Sequence, residues 1–229
     1  SYFVLSDGKT FKSFNTAQDH KRVREGDVGK NTGGMGAYSP SSLNNLELEK
    51  KIIDQIVKPT FQAVKDFGAN YVGFLYVGLM IKNNKPYLVE FNVRMGDPEC
   101  QTILPLLDFD LLELLLSCCN GNLDKQNIKW YNKKSLCIVL CSKGYPDDYK
   151  KNIEIKDLEK LKNDKNNFVF HAGTKVYDNK VLANGGRVLN FVSISEDFKN
   201  SRNLAIKKIE KLNWSNGFYR KDIGYKVIN

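Results

Sequence analysis

Glu90, Asn92 and Arg94 stand at spacing i, i+2, i+4 in the stretch Tyr87-Leu-Val-Glu-Phe-Asn-Val-Arg-Met-Gly-Asp-Pro-Glu99. Tyr87 to Val89 and Phe91 are apolar or aromatic, as a buried strand requires. On such a strand all three polar side chains point to one face. A carboxylate, an amide oxygen and a guanidinium on one face suit a hard cation and a phosphate. Mg²⁺ takes oxygen from one or two protein groups and leaves the rest to phosphate and water. A guanidinium forks two phosphate oxygens. Taken alone, the triplet more often describes a half-buried strand with its polar face in solvent. Asp97 and Glu99 follow at once and change the balance. So many acids in one corner are costly unless a cation or an arginine sits among them.

Two further stretches carry polar chemistry. Gln18-Asp-His-Lys-Arg22 packs an amide, an acid, an imidazole and two cations into five residues, and alone it reads as a charged surface loop. The segment from Gly26 to Pro40 follows it, with five glycines (26, 29, 33, 34 and 36) in eleven residues. That density predicts no regular element and lets backbone N–H groups approach an anion closely. The segment is not a Walker A loop, which needs G-x(4)-G-K-[ST] opening a helix. It reads either as a phosphate-facing loop or as a flexible linker. Later, His171-Ala-Gly-Thr174 and Asn184-Gly-Gly-Arg187 stand out. A lone histidine at a strand end is usually a packed one, and Asn-Gly-Gly is usually a hairpin turn.

The elements that must hold these residues follow from periodicity. Tyr2 to Phe14 predicts a hairpin with an Asp-Gly turn. Ser41 to Gly68 predicts a helical region, with Pro59 as a kink or break and Gly68 as its end. Tyr71 to Asn92 predicts a second hairpin, in which Gly73 and Gly78 mark a close approach or a bulge. Asp108 to Asn120 is apolar nearly all round and predicts a core helix. Residues 122–134 are polar and predict a linker. Beyond them the pattern restarts with strands at 135–141, 168–172, 174–177 and 187–195 and a helix over 197–212. The expected division is therefore 1–121, a linker at 122–134, and a smaller α+β unit over 135–229.

Bulk properties set outer bounds. The 229 residues are 41% hydrophobic, enough for a substantial core, and hold no apolar run of transmembrane length. Five cysteines without a metal-type spacing or a secretory signal suggest free thiols in a reducing cytoplasm. The net charge is +9, carried mostly by lysines spread among asparagines. Dispersed lysine reads as a solvated face and does not by itself indicate nucleic acid. Anionic small substrates also suit a positive field.

Taken in order, QDHKR, GKNTGGMGAYSP, GFLYVGLM, VEFNVRMGDPE, HAGT, NGGRVL and the closing Arg220-Lys-Asp-Ile-Gly224 resemble the phosphoribosylamine–glycine ligase family of the ATP-grasp superfamily. The resemblance runs over essentially the whole chain. It implies an α+β fold: the second, catalytic subdomain of an ATP-grasp domain with an antiparallel sheet, then a small α+β C-terminal domain. It implies a reaction in which glycine's carboxylate attacks the γ-phosphate of ATP and the amine of 5-phosphoribosylamine then displaces phosphate from the acyl phosphate. Positioning and electrostatics would dominate such chemistry, with Mg²⁺ (or Mn²⁺) neutralising the phosphates.

By the same resemblance Glu90 and Asn92 are metal ligands, Arg94 faces the transferring phosphoryl group, and Asp97 and Glu99 hold the amine or orient Arg94. Asn31, Thr32, Gly33, Gly34, Met35 and Gly36 form a loop over phosphate and substrate, with Asp19, His20 and Lys21 beside it. His171, Thr174 and Arg187 form the small domain's wall of the cleft. Many ATP-grasp enzymes carry another metal carboxylate on the preceding strand; Phe74 to Met80 has none, as in this ligase family. The family also has an N-terminal α/β domain and a lid supplying the adenine hinge. The resemblance implies that this chain starts just after that hinge and works with an N-terminal half. The competing readings are another ATP-grasp carboxylate–amine ligase and a non-enzymatic anion-binding module.

Overall fold

The computed structural model describes residues 1–43 and 45–228; Asn44, inside the expected helical region, and Asn229 lie outside the described residues. The chain forms two compact units. The first comprises Ser1–Ala17, Pro40–Gly96 and Leu107–Tyr131, and the second Gln18–Ser39, Asp97–Leu106 and Asn132–Asn229. This differs from the division expected at 121 and 135: residues 18–39 and 97–106 belong with the C-terminal part. The reason is strand pairing, because Gly36–Ser39 hydrogen-bonds along Ser135 to Ile138.

The first unit is built on a four-stranded antiparallel sheet in the order Phe11–Thr16, Tyr2–Asp7, Val72–Lys82, Lys85–Asn92. Tyr2–Asp7 is buried along its whole length. Period-2 alternation sends Tyr2 and Val4 into a cluster with Leu48, Ile52, Ile56, Val57, Leu75 and Val77. Phe3 takes the alternate position and meets Tyr76 edge-on, at 5.1 Å between ring centroids. Asn45 caps the helical region by accepting the Leu48 N–H at 2.9 Å. The helix does not break at Pro59. It passes from Leu46–Ile52 through a π-helical segment, Ile53–Val57, into Lys58–Asp66. The wider turn accommodates a residue that lacks an N–H.

Two expectations of burial are corrected. Tyr87, Leu88, Val89 and Phe91 are between 37% and 65% exposed, because Lys85–Asn92 is an edge strand with one neighbour. Leu111–Cys119 buries Leu114 and Cys118 but exposes Leu112 and Leu116. The expected linker is also structured in part: Leu123 is fully buried and Trp130 bridges to Leu107.

Asp7 joins three segments of this unit. Its Oδ1 accepts the N–H groups of Lys9 and Thr10, closing the Asp-Gly turn, and its Oδ2 accepts the N–H of Leu123 at 3.0 Å. Burial would push its carboxyl upward, but these backbone donors outweigh it and hold it below the usual range.

The second unit centres on a sheet in the order Asn167–His171, Arg187–Ser195, Lys134–Ser142, Gly36–Ser39, Gln18–Asp19, with Gly217–Phe218 also paired to Lys134–Ser142. The two long strands are buried nearly throughout. They read in sequence as continuous apolar runs because both faces are covered. Phe198–Ile209, capped by Asp197 at Asn200 N–H, packs on these strands. A three-stranded sheet (Ile153–Glu154, Lys180–Ala183, Thr174–Tyr177) and a short hairpin (Arg22–Arg24 with Val28–Asn31) complete the unit.

A buried charge cluster ties residues 20–27 to residues 220–226. Arg220 is 1% exposed; it donates to Asp27 Oδ1 at 2.7 Å, to the Arg22 carbonyl at 2.9 Å, and to both oxygens of Asp222. Asp27 also accepts from Tyr225 and pairs with Lys226 at 2.6 Å. His20 Nε2 accepts the Gly224 N–H at 3.1 Å, which leaves Nδ1 to donate to Asp27 Oδ1 at 3.1 Å. Burial lowers the His20 pKa, and the pull of Asp27 upward does not offset it.

Two predictions follow from these anchors. Asp7→Ala leaves three backbone donors without their acceptor and should cost about 2 kcal/mol or more, read as a lower denaturant midpoint at unchanged slope. Neutral His20 should make the fold acid-sensitive. An unfolded histidine takes a proton below its ordinary value of 6.5, whereas the folded one resists it, so His20's stabilisation is full above 6.5 and lost as pH falls below it. Asp19 works in the opposite sense, since its folded value is pushed up to about 6. The His20 contribution is therefore read as the difference between wild type and His20→Asn in thermal melts from about pH 8 to about pH 5; parallel pH profiles would contradict it.

Candidate functional site

In the first unit, Glu90 and Asn92 lie on Lys85–Asn92, two residues apart and so on one face. Glu90 pairs with Gly78 across the hairpin, and Asn92 with Tyr76. The register shifts between Gly78 and Leu79, so Val89 is an extra residue beside Glu90. Gly78 explains itself here: a Cβ would come within 2.9 Å of Glu90 Cγ. Gly73, by contrast, has open space around it and a φ of +125°. Arg94 lies beyond the strand's end, where its guanidinium donates to the Met95 carbonyl at 2.9 Å. The expected common face therefore holds for Glu90 and Asn92 only. These two oxygen donors fit a Mg²⁺ that draws its remaining ligands from phosphate and water. Among the described residues no group of three or more acidic, histidine or cysteine side chains is placed to hold an ion unaided.

The chain passes into the second unit between Gly96 and Asp97. Asp97 and Glu99 therefore do not share a unit with Glu90, Asn92 and Arg94. They join Asp19, Lys21, Gly33, Gly34 and Arg187. Arg187 donates to the Gly33 carbonyl at 2.8 Å, to the Asp97 carbonyl at 2.7 Å and to Asp97 Oδ2 at 3.1 Å. Asp97 Oδ1 accepts from Gln101. At Gly33 a Cβ would lie 2.9 Å from the Arg187 guanidinium carbon, so a side chain there would push the guanidinium aside. Gly34 adopts a φ of +116°, and a Cβ there would meet Pro98 at 2.5 Å and Asp19 Oδ1 at 2.8 Å.

Asp19 is nearly buried, its side chain 4% accessible. Lys21 pairs with its Oδ2 at 2.8 Å, while its buried Oδ1 has no partner. Burial first, then the carboxylate of Glu99, push its pKa up to about 6 against the pull of Lys21 and Arg187. A buried, unpartnered carboxylate oxygen beside a second carboxylate suits recognition of an amine or ammonium group.

The other expected site residues divide. Thr32 is a loop brace: its hydroxyl donates to the Lys21 carbonyl and accepts the Gly34 N–H. Asn31 pairs with Arg22 in the short hairpin. Met35 and His20 are fully buried and belong to the core and the charge cluster. Gly36 is not part of a loop but opens a strand, where a Cβ would strike the Cys137 carbonyl at 2.5 Å. His171 and Thr174 bond each other through Nδ1 and the hydroxyl at 2.9 Å. Gly173, between them, donates its N–H to the Arg187 carbonyl. The sequence reading missed Tyr145, whose hydroxyl accepts the Gly33 N–H at 2.9 Å; an aromatic residue in the polar Lys143-Gly-Tyr-Pro-Asp147 loop was the available signal.

Residues 1–100 match the family model for the phosphoribosylglycinamide synthetase ATP-grasp (A) domain, and residues 135–226 match that for the phosphoribosylglycinamide synthetase C domain. The chain is 45% identical over 231 residues to the phosphoribosylamine–glycine ligase of Haemophilus influenzae, covering 100% of this chain and 53% of that protein. The crystal structure of phosphoribosylamine–glycine ligase from Thermotoga maritima superposes with a TM-score of 0.87 at 33% identity, over 97% of this chain and 55% of that one. The biotin carboxylase domain of a thermophilic 2-oxoglutarate carboxylase shares the fold, with a TM-score of 0.65 at 14% identity. The chain thus spans about half the length of the curated relatives it matches. On these matches the chain belongs to the phosphoribosylamine–glycine ligase family and carries the α+β architecture of ATP-grasp enzymes.

Proposed function

We propose that this chain supplies the metal and substrate groups of an ATP-dependent ligase that joins glycine to 5-phosphoribosylamine, giving glycinamide ribonucleotide, ADP and phosphate in purine biosynthesis. The observation that carries the reading is the Arg187 assembly, which gathers Gly33, Asp97 and the buried, half-partnered Asp19 in a chain of this family.

The chemistry has two steps. A carboxylate oxygen of glycine attacks the γ-phosphorus of ATP, and the bond to the bridging oxygen breaks to release ADP. The amine nitrogen of 5-phosphoribosylamine then attacks the acyl carbon, phosphate leaves, and the amine gives up a proton. Mg²⁺ (or Mn²⁺) held by Glu90 and Asn92 would supply charge neutralisation at the phosphates. Arg94 offers a guanidinium to the transferring group, although in the structure it turns to the Met95 carbonyl. Asp19 Oδ1 accepts an N–H of the incoming amine, with Glu99 beside it in the same unit. Asp97 holds Arg187 and, through it, the carbonyl of Gly33. Thr32 fixes the loop, and the Gly33-Gly34 backbone brings it close to the acids. The protein contributes no nucleophile.

The adenine-binding groups would come from the half of the relatives that this chain does not span, its partner in activity. No described helix is long and apolar enough to cross a membrane. All five cysteines are free thiols, in keeping with a reducing cytoplasm. Mixed with that other half, the chain should form ADP only when glycine and 5-phosphoribosylamine are both present. Glu90→Gln should cut that rate by about a hundredfold or more; full activity in this variant would sink the metal assignment.

A further inference from the structure

Gly33 and Gly34 are the part of the glycine loop that side chains, and not backbone, hold in place. The residues on either side have backbone tethers: Thr32 N–H donates to the Lys21 carbonyl at 2.8 Å, and Met35 N–H to the His20 carbonyl at 2.9 Å. Between them, Gly33 N–H donates to the Tyr145 hydroxyl at 2.9 Å, and the Gly33 carbonyl accepts from Arg187 at 2.8 Å. Gly34 N–H donates to the Thr32 hydroxyl at 3.0 Å, a bond internal to the loop. Tyr145 and Arg187 are thus the side chains that tie Gly33 to the rest of the second unit.

Tyr145 is itself firmly seated. A Cβ at Gly186 would lie 2.2 Å from Cδ2 and 2.7 Å from Cε2 of its ring, so the ring rests on bare backbone next to Arg187. Ser142 accepts the Tyr145 N–H at 3.1 Å. It also donates its own N–H to the Gly186 carbonyl at 2.8 Å and its hydroxyl to the Gly185 carbonyl at 2.9 Å. The turn that carries the phenol is therefore fastened to the segment that carries the guanidinium. A second link to the loop, Lys30 to Asp147, is more than 60% exposed at both ends, and such a bridge contributes little.

What the loop covers gives this tether its consequence. Gly34 lies over the Asp19 carboxylate: a Cβ there would stand 2.8 Å from Oδ1 and 3.2 Å from Oδ2, with Pro98 at 2.5 Å. The covered Oδ1 is the oxygen that has no partner. We propose that Tyr145 is a positioning residue: its hydroxyl holds the Gly33 N–H so that Gly34 stays over Asp19 and keeps Oδ1 out of water. The tether stands on this geometry alone; its service to the reaction rests on the ligase reading above.

Tyr145→Phe tests it, since this variant removes the hydroxyl and keeps the ring on Gly186. In amide exchange followed by NMR, Gly33 should exchange about fivefold faster, while the fully buried Ile138 should be unchanged. Carbon NMR titration of the Asp19 carboxyl gives a second reading. Burial raises its midpoint to about 6, the Glu99 carboxylate adds to the rise, and Lys21 and Arg187 pull against it. Water reaching Oδ1 weakens the first of these causes, so the midpoint in Tyr145→Phe should fall toward the ordinary carboxylate range. Asp147→Asn breaks only the exposed bridge, and Tyr149→Phe alters a ring 6.4 Å from that of Tyr145; both should read as wild type. Mixed with the other half of the enzyme, Tyr145→Phe should lower kcat several-fold at unchanged KM for ATP.

The proposal is overturned if Gly33 exchange or the Asp19 midpoint in Tyr145→Phe matches wild type, or if Asp147→Asn or Tyr149→Phe shifts them equally. A matching rise in Ile138 exchange would also overturn it, because the hydroxyl would then serve overall stability. Where the wild-type mixture is active, an unchanged kcat in Tyr145→Phe would do the same. The NMR readings need no catalysis. A wild-type mixture that makes no glycinamide ribonucleotide would therefore retire the ligase reading and leave the tether standing.

Discussion

One guanidinium organises the second unit. Arg187 spans three acceptors: the carbonyls of Gly33 and Asp97 and the Asp97 carboxylate. A planar fork with fixed donor directions suits this arrangement. Sheet register brings the parts together. The strand Lys134–Ser142 carries Gly36–Ser39 on one side and Arg187–Ser195 on the other, with Gly36 opposite Ile138 and Arg187 opposite Cys141. Both flanking strands run antiparallel to it, so the segments preceding them leave the sheet at the same end. The glycine loop and Arg187 therefore meet by register, and the missing side chain at Gly33 leaves room for the fork.

The same unit drives two nearby aspartates in opposite directions. Asp19 is buried beside Glu99, and burial plus like charge push it up to about 6. Asp27 is also raised by burial, but Lys226, Arg220 and His20 surround it and hold it far below the usual carboxylate range. Asp19 is left able to exchange a proton near neutrality, whereas Asp27 is a fixed anion that anchors the chain's last segments. The contrast separates a group available for chemistry from a group committed to the fold.

The hairpin from Tyr2, the apolar runs of 135–141 and 187–195 and the capped helix after Asp197 were legible in sequence, because their periodicity is local. The strand Gly36–Ser39 was not, because glycine density masks a strand whose pairing partner lies a hundred residues on. Lys85–Asn92 was read as buried because its residues are apolar, yet burial depends on neighbours that a sequence window does not contain. His20 looked like a substrate group from its polar company. Its actual partners, Asp27 and Gly224, include one more than two hundred residues away. Arg187 was singled out through family resemblance, while Tyr145 had only its loop composition to mark it.

The placement of the acids changes what the metal has to do. In sequence, Glu90, Asp97 and Glu99 form one crowded corner that calls for a cation or an arginine. In the structure the demand is divided. Asp97 is neutralised by Arg187, and Lys21 partners the acid group of Asp19. Each of these carboxylates has one of the protein's own cations beside it, although Asp19 Oδ1 stays open. Glu90 and Asn92 are left as one charged and one neutral oxygen donor on an edge strand. Two such donors bind Mg²⁺ weakly unless phosphate oxygens complete the shell. On the proposed reading a metal held by these two groups would be coupled to the nucleotide, whereas the acid–arginine assembly is held by the protein's own hydrogen bonds.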